Sequence, residues 1–388
     1  MPYDRHLHIV HEVFTAFSRF IQEVQPSFVC AGMVGSFLGT VPYAVCERFQ
    51  IPIYALTTAY EPLRYWHEGR YGGNAALERA YRTLKSAPGG SEDLGGGIDG
   101  SLHRTVRPMS TNTGNLTNLL GEILRHSRRH TLGLVRRPKY PSDAGFPTRI
   151  SYSFQKFRNY RRDMRRKYRS LKEIQSRSYV YFPLQGEPEA TLNGSEPHFT
   201  NQLYSVELLS KSVPIGAHVL VKEHPEYIGT RPPGWLDTIA DFPRVEFVHP
   251  HENPIEIIRG SMATATIAGT SGLQAAIMGR PVISLGPNFR FNFVDHVWFA
   301  NDLFELRELL KWMYESKDNL DFAREGAILQ KAIEMACFRS EERINVVTVR
   351  HSQSGVELAY QQLLKKLEEE EVWSPARDNP EDRDRLTA

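Results

Sequence analysis

Cysteine is scarce in this chain of 388 residues. Its three cysteines, Cys30, Cys46 and Cys337, lie far apart, and no two of them form a CxxC pair. This excludes a disulfide framework and a cysteine-based zinc site, and it indicates a reducing cytosol. Neither sign of charge is in excess, because 47 basic residues against 45 acidic ones leave a net charge of +2. The overall charge therefore gives no indication of a nucleic-acid partner.

The N-terminus lacks the apolar stretch that a secretory signal needs. Two uncharged stretches, residues 24–46 and 261–279, approach the roughly 20 residues of a membrane-spanning helix. Each contains Gly, Ser and Thr near its middle and changes halfway from a β-like to a helix-like pattern. We therefore interpret both as buried βα units and predict a cytoplasmic protein.

What the sequence does contain is a βαβ pattern in each half. In the first half, a strand at 28–30 is followed by a Gly-rich turn, a helix and a strand at 51–56. In the second half, a strand at 263–268 is followed by the turn 269–272, a helix and a strand at 281–285. Such units predict an α/β fold with two Rossmann-like domains that face each other across a cleft, followed by C-terminal helices.

We place the boundary between the two domains after residue 175. Residues 1–175 form the first domain and 176–372 the second, and the polar, proline-containing residues 373–388 are expected to be a disordered tail. The first domain contains a long loop at 86–118 that is rich in Gly, Ser, Thr and Asn. A GxGxxG match within this loop has no strand before it and no helix pattern directly after it, so it does not indicate a dinucleotide site.

A basic segment precedes the second domain. Between Arg125 and Arg177 there are 17 lysines and arginines against three acids, and apolar residues recur at helical intervals over 150–172. This pattern predicts a basic amphipathic helix. Its cationic face is suited to anionic lipid headgroups or an anionic acceptor, and the alternative is a solvated helix that bridges the domains. No nucleic-acid-binding motif accompanies the charge, so we expect no nucleic-acid partner.

Polar residues follow two predicted strands of the second domain, at the edge where α/β proteins bind ligands. Gln185 and Glu187 lie in a polar turn that is suited to hold hydroxyl groups or a ribose, although it is also an ordinary strand exit. Lys222 and His224 come at the end of the next strand, and residues two apart project from the same side of a strand. Together they are suited to bind a phosphate or carboxylate, and His224 also to move a proton. The alternative is a structural histidine.

The turn Gly269-Thr270-Ser271-Gly272 is the most informative candidate. Gly269 and Gly272 allow the backbone to approach a ligand closely, and Thr270 or Ser271 is suited to cap the helix that follows. The unpaired N–H groups of the first helical turn favour an anion. We therefore expect this turn to hold a phosphate without a metal ion.

Two histidines, His249 and His251, follow another short strand. Their spacing supplies two metal ligands at most, and no matching carboxylate pattern accompanies them. We expect the segment to line a pocket. Because no DxD-like motif lies near these turns, we predict no metal site and no cofactor.

The order of these motifs resembles the bacterial capsule polysaccharide biosynthesis family. The motifs that carry the resemblance are Phe-Pro-Leu-Gln at 182–185, Glu-Pro-Glu at 187–189, Lys-Glu-His-Pro at 222–225, Ala-Gly-Thr-Ser-Gly-Leu-Gln-Ala at 268–275 and Gly-Arg-Pro-Val at 279–282. The resemblance implies a glycosyltransferase of GT-B architecture, in which the second domain binds the nucleotide sugar and the first lies on the acceptor side. Because this chain opens with a helix where the family has a strand, we expect the first domain to be shortened.

Members of this family are associated with transfer of Kdo from a cytidine-monophosphate donor at the glycolipid end of capsules. The resemblance implies that Lys222 and His224 contact the donor phosphate or the sugar carboxylate. It implies further contacts to phosphate through the backbone amides of Thr270, Ser271 and Gly272, and to the sugar or nucleotide from Gln185 and Glu187. Glu61, which follows the strand at 51–56, is the candidate for a catalytic carboxylate from the first domain. His224 is the second candidate catalytic residue.

The sequence thus predicts a glycosyltransferase that is peripheral on the inner face of the cell membrane. It would transfer a sugar from a nucleotide donor to a glycolipid or a growing surface polysaccharide. One alternative is a transferase for cytidine-diphosphate-glycerol, whose strand-end His-Pro element is similar but whose Asp-Tyr-Ser-Ser-like run is absent from 269–272. Another is a non-catalytic glycan-binding or assembly protein of a capsule complex.

Overall fold

A computed structural model describes residues 3–32, 37–71, 73, 75–87, 116–135, 146–187, 190–340 and 353–370. The strands in these ranges are β1 (Val29–Ala31), β2 (Ile53–Tyr60), β3 (Leu63–Glu68), β4 (Ser178–Pro183), β5 (Ala217–Lys222), β6 (Val245–Val248), β7 (Ala263–Thr266), β8 (Val282–Ser284), β9 (Val297–Phe299) and β10 (Phe338–Arg339). They form two sheets, with the orders β1-β2-β3-β10 and β6-β5-β4-β7-β8-β9.

Helices alternate with most of these strands. Within the described ranges they are α1 (Tyr3–Val24), α2 (Phe37–Phe49), α3 (Ala75–Ser86), α4 (Leu116–Val135), α5 (Phe146–Asp163), α6 (Leu171–Gln175), α7 (Ala190–Ser195), α8 (Gln202–Ser212), α9 (Trp235–Asp241), α10 (Pro254–Gly260), α11 (Thr270–Ile277), α12 (Leu303–Ser316), α13 (Ala323–Ala336) and α14 (Gln353–Glu369). The predicted α/β fold class is therefore confirmed.

The larger sheet is parallel throughout and carries a hydrophobic core on each face. Tyr179 and Tyr181 of β4 pack on the side of α10, α11 and α13. Val180 and Phe182 point the other way and pack with α8 and α12. A strand that is covered on both faces needs apolar side chains at every position, which explains the continuous run Tyr-Val-Tyr-Phe.

The smaller sheet is mixed and is completed by the end of the chain. β2 pairs in parallel with β1, and it pairs antiparallel with β3 through a hairpin that the sequence analysis did not predict. β10 then pairs with β3, and α14 packs on the same sheet. Trp66 Nε1 donates to the carbonyl oxygen of Ala359 at 2.8 Å, while Leu363 and Leu367 pack against Tyr54. The chain beyond α13 thus lies with the first sheet, although the sequence analysis grouped it with 176–372.

The predicted basic helix at 150–172 is corrected by the structure. α5 begins earlier and ends at Asp163, where the hydroxyl of Tyr168 donates to the carbonyl oxygen of Asp163 at 2.8 Å. The N–H of Arg169 then donates to Phe247 O at 2.8 Å, which draws the chain into an extended bridge. Ser170 starts the separate helix α6 through a capping box. Local periodicity did not reveal these long-range bonds.

Apolar residues at 9, 13, 17, 20 and 24 recur at steps of three and four and predict one packed face of α1, which the structure follows only in part. Ile21 is buried, whereas Phe20 and Val24 are each about half exposed. Phe17 and Val13 do pack on the α2 side, as their spacing predicts. Near the C-terminal end of α1, the buried position is therefore Ile21, one residue after the Phe20 that the spacing predicts.

The two uncharged stretches form βα units, as predicted. Residues 24–46 contain β1 and much of α2, and 261–279 contain β7 and α11. Among the residues that the structure describes, no helix combines the length and the apolarity needed to cross a bilayer.

Two sequence predictions lie partly or wholly outside the described residues. These are the Gly-rich loop, of which 88–115 fall outside, and the tail at 373–388. The division of the chain at residue 175 stays a prediction.

Gly279 provides a test of the packing below α11. Its φ is +63°, and an added Cβ would lie 2.6 Å from the backbone of Phe322. We expect Gly279→Ala to lower the free energy of unfolding by about 2 kcal/mol or more, because both the backbone conformation and the contact become strained. Urea unfolding measures the effect. The matched control is Gly121→Ala in α4, where an added Cβ meets open space. It should raise stability by about 0.5–1 kcal/mol, and equal effects of the two variants would contradict the expectation.

Candidate active site

Three strand ends of the larger sheet come together at one edge. β5, β4 and β7 are adjacent and parallel. Pro183 pairs with Lys222 and Tyr181 pairs with Thr264, so Pro183 is also level with Thr266 two residues further along. Residues that are level in parallel strands share a face, and strands lie about 4.8 Å apart, so Lys222 and Thr266 are about 10 Å apart on one face. The basic residue and the turn before α11 therefore lie on the same side of the sheet.

The first turn of α11 presents free backbone donors. The N–H of Gly269 donates to Thr266 Oγ1 at 2.9 Å, and the N–H of Gly272 donates to the carbonyl oxygen of Gly269 at 3.1 Å. Among the described residues, the N–H groups of Thr270 and Ser271 have no acceptor, and no side chain caps the helix. Such donors, aligned with the helix dipole, favour an anion.

The side chains of this turn face the protein more than the sequence predicted. The Ser271 hydroxyl hydrogen-bonds the buried hydroxyl of Tyr181. An added Cβ at Gly272 would lie 2.6 Å from Thr266 Cγ2 and 2.9 Å from Phe289 Cζ. Glycine is thus required at 272 by the close packing of α11 on β7. In this turn, a ligand would meet the amides of Thr270 and Ser271.

Lys222 is the free cation of the site. It is only 7% exposed, and within the described residues its Nζ makes no hydrogen bond or ion pair. Burial lowers the pKa of Lys222 to about 8, although the carboxylates of Glu223 and Glu252 oppose this shift. An ammonium group in this setting gains more from an anionic ligand than an exposed lysine does, because water screens it less.

His224 lies half-buried at the end of the same strand segment. Its Nδ1 accepts the N–H of Glu226 at 3.3 Å, and its ring packs against Tyr227. Burial lowers the pKa of His224. The charge of Glu226 opposes this shift, whereas the charges of Lys222 and Arg231 add to it. The imidazole is therefore neutral at pH 7, with its proton on Nε2, where it can donate to a ligand.

Gln185 and Glu187 are held in a network around Arg231. Gln185 Oε1 accepts the N–H of Ala268 at 3.2 Å, and its carbonyl oxygen accepts from Arg231 Nη2. Arg231 also pairs with Glu223 at 2.9 Å and with Glu187 at 3.2 Å. The Gln185 side chain thus joins the end of β4 to the turn before α11. The contact of Glu187 with Arg231 is structural, and about a third of the Glu187 side-chain area stays exposed.

Glu61 lies in the hairpin turn between β2 and β3, which belongs to the smaller sheet. Its carboxylate pairs with Arg64 Nη2 at 3.1 Å, and Arg64 also donates to Thr58. A third of the Glu61 side chain is exposed. Its catalytic role stays a prediction.

The two histidines after β6 lie beside Lys222. His249 packs edge-on against Tyr168, and its ring centre is 5.4 Å from that of His251. Burial lowers the pKa of His251, and His249 and Lys222 act in the same direction. Among the described residues, no group of three or more His, Cys, Asp or Glu side chains is arranged to hold a metal ion.

Sequence reasoning missed a connection between the two sheets. Glu196 is buried, and its carboxylate accepts the backbone N–H and the side-chain amide of Asn288 at 2.7 and 3.3 Å. Burial raises the pKa of Glu196 to about 7, although these hydrogen bonds oppose the shift. Two residues further on, Arg290 Nη1 donates to Thr57 and Tyr65 of the smaller sheet, both at 3.1 Å. No local motif signals these pairs, because their partners are 90 to more than 200 residues apart.

No protein-family model matches the chain. One curated relative is protein FixF of Sinorhizobium fredii, which is 25% identical over 173 residues. The match covers 44% of this chain, and the chain spans 38% of the length of that protein.

Solved structures of several sugar-nucleotide proteins align with the fold at low similarity. The Staphylococcus aureus MnaA–UDP co-structure is 10% identical, with a TM-score of 0.34, over 84% of this chain and 79% of that one. KpsC of Thermosulfurimonas dismutans, a β-Kdo 2,7-transferase, is 14% identical, with a TM-score of 0.34, over 74% and 77%. UDP-GlcNAc 2-epimerase of Neisseria meningitidis is 13% identical, with a TM-score of 0.29, over 85% and 81%. The α/β fold itself is established by the strand order given above.

Lys222 makes the stability of the protein depend on alkaline pH. Its folded-state pKa of about 8 lies below the ordinary 10.5, so between these values the unfolded chain binds more protons than the folded one. Stability therefore rises with pH across this window. The wild type should gain up to about 3 kcal/mol relative to Lys222→Met between pH 8 and 10.5. Urea unfolding of both proteins over this range measures the difference.

The control is Lys211→Met, at an exposed lysine paired with Glu207. For this variant, the stability difference from the wild type should stay nearly flat with pH. The same flat profile for Lys222→Met would show that the Lys222 ammonium is not desolvated.

Proposed function

We propose that the chain is a nucleotide-sugar-dependent glycosyltransferase whose donor phosphate binds between the start of α11 and Lys222. The supporting observation is that two amides, those of Thr270 and Ser271, and the buried Lys222 lie on one face of the sheet edge, and that none of them has a partner among the residues that the structure describes. Lys222 and the end of β7 are about 10 Å apart, a distance that a phosphate and its hydrogen bonds can bridge over the end of β4. These groups supply hydrogen bonds and positive charge, which an anion requires.

The same groups favour the departure of a phosphate. In the transfer, the bond from the anomeric carbon to a phosphate oxygen breaks, and its electron pair goes to that oxygen. An acceptor hydroxyl oxygen bonds to the anomeric carbon and gives its proton to a base. Lys222 and the amides of Thr270 and Ser271 would stabilise the charge that grows on the leaving phosphate, which lowers the barrier. Nε2–H of His224 would donate to the phosphate or to a carboxylate of the sugar.

Two further residues complete the proposed site. Gln185 lies between Lys222 and the α11 turn, where its side chain would contact the sugar or the nucleotide, and Glu187 would lie nearby. Glu61 of the smaller sheet is proposed as the carboxylate base, which requires it to approach the bound donor across the cleft. The proposal assigns no step to a metal ion.

The sugar and the acceptor follow from the family resemblance. We propose Kdo from a cytidine-monophosphate donor as the sugar, and a glycolipid or growing surface polysaccharide as the acceptor, in capsule biosynthesis at the inner face of the cell membrane. The alternatives are a cytidine-diphosphate-glycerol transferase and a glycan-binding assembly protein without turnover. Turnover measured with each member of a panel of donors distinguishes these possibilities. A transferase releases the nucleotide from its own donor, whereas an assembly protein binds the nucleotide and splits no donor.

Nucleotide binding tests the site directly. We expect Lys222→Ala and His224→Ala each to weaken binding of a cytidine nucleotide by about tenfold, because each removes a charge or donor from a partly desolvated site. Calorimetry on each variant gives the affinity, and far-UV circular dichroism verifies the fold. Thermal-shift measurements with cytidine, uridine and guanosine nucleotides identify the base.

The matched control for this experiment is Lys211→Ala, which removes an exposed lysine from α8. Its affinity for the nucleotide should equal that of the wild type. If Lys222→Ala and His224→Ala also bind with unchanged affinity, the proposed phosphate site is wrong.

A further inference from the structure

The helix α4 exposes a row of leucines. Leu116, Leu120 and Leu124 are 62%, 52% and 69% exposed. At about 100° per residue they fall within an arc of about 80°. A neighbouring side of the helix is used for packing, because Leu119, about 100° around the helix from Leu120, is 5% exposed and α4 packs on α5. The row is therefore a second apolar face, beyond the one that the fold uses.

Positive charge lies beside this row. Arg125 and Arg128 are exposed, and neither forms an ion pair within the described residues. They follow Leu124 around the helix by about 100° and 40°. The single acid between residues 116 and 128 is Glu122, which lies about 160° away from Leu124. The face thus combines leucine and arginine without a carboxylate.

The arginines of the segment on which the sequence analysis placed membrane contact are engaged only in part, because Arg158, Arg161 and Arg165 are exposed and form no ion pair within the described residues. Arg162 pairs with Asp163, and Arg166 pairs with Asp237 and lies over the ring of Phe247. The contacts of Arg166 reach α9 and β6, whereas that of Arg162 is local. α5 therefore keeps exposed charge of its own, and α4 differs from it in carrying a row of exposed leucines beside its arginines.

An anionic surface fits this face better than a second copy of the chain. Two copies related by a two-fold axis would place the same arginines against each other without a carboxylate to pair them. A bilayer with anionic headgroups receives the leucines among its acyl chains and the arginines among its phosphates. On the same hairpin, α5 adds the half-exposed aromatics Tyr152 and Phe154, a residue type that favours the membrane interface.

We propose that the leucine–arginine face of α4, formed by Leu116, Leu120, Leu124, Arg125 and Arg128, docks on an anionic membrane surface. The helix lies in the plane of the headgroups. This docking does not depend on the proposed transfer reaction, and it is measured without any donor.

Sedimentation with lipid vesicles tests the proposal on the full chain. The wild type should bind vesicles of mixed phosphatidylglycerol and phosphatidylcholine, and it should bind them less as salt is raised. The triple variant Leu116→Gln, Leu120→Gln, Leu124→Gln should partition about tenfold less onto them, since it loses the inserted side chains. The double variant Arg125→Gln, Arg128→Gln should lose about tenfold on these vesicles and little on pure phosphatidylcholine.

The matched control removes three exposed apolar side chains from other helices. Phe304→Gln, Met335→Gln and Tyr360→Gln together should leave vesicle binding unchanged, since these residues lie on α12, α13 and α14. Circular dichroism verifies that each variant is folded. The proposal is overturned if the wild type fails to bind the anionic vesicles or if the leucine variant binds as well as the wild type. A dimer that the leucine variant disperses, without vesicle binding by the wild type, would assign the face to self-association.

Discussion

The side chain of Lys222 is buried, so water screens its positive charge only weakly. The candidate site is arranged around this charge. Desolvation disfavours the ammonium form, and its neighbours Glu223 and Glu252 offset only part of the effect. Glu223 cannot pair with it fully, because Arg231 already holds that carboxylate at 2.9 Å. A lysine kept in this state is ready to gain free energy from an anion. The free amides of Thr270 and Ser271 on the same face act in the same direction, so this sheet edge favours a negatively charged group.

Arg231 is what holds this edge in shape. Its guanidinium is buried, stacks on Trp235 at 4.6 Å and joins the chain after β5 to the chain after β4 through Glu223, Glu187 and the Gln185 carbonyl. A buried ion pair of this kind is weak evidence for added stability, because desolvation opposes the Coulomb attraction. Its consequence here is geometric. It fixes two strand exits against each other, and it engages Glu187, which the sequence analysis placed near the ligand.

The contacts between the two sheets are also made by residues that lie far apart in the chain. Arg290 crosses to Thr57 and Tyr65, and the loop that carries it is held by the buried carboxylate of Glu196 through Asn288. α14 returns along the smaller sheet through Trp66. The two sheets are thereby joined both by the chain and by side chains. The leucine face of α4 lies on a hairpin beside the loop of residues 229–231, where Asn159 of α5 donates to the carbonyl oxygen of Arg231.

The sequence by itself determined the strands of the larger sheet except β9, the Gly-Thr-Ser-Gly turn and the position of Lys222 at a strand end. These features follow from local rules, because a strand covered on both faces must be apolar along its length and a helix start needs small polar residues. Only the tertiary structure decided the end of the basic helix at Asp163, the engagement of Glu187 and the return of α14. It also turned Gly272 toward Phe289 and left the leucines of α4 outside. Each of these depends on a partner distant in the chain, and side-chain periodicity carries no information about which distant residue a group will meet.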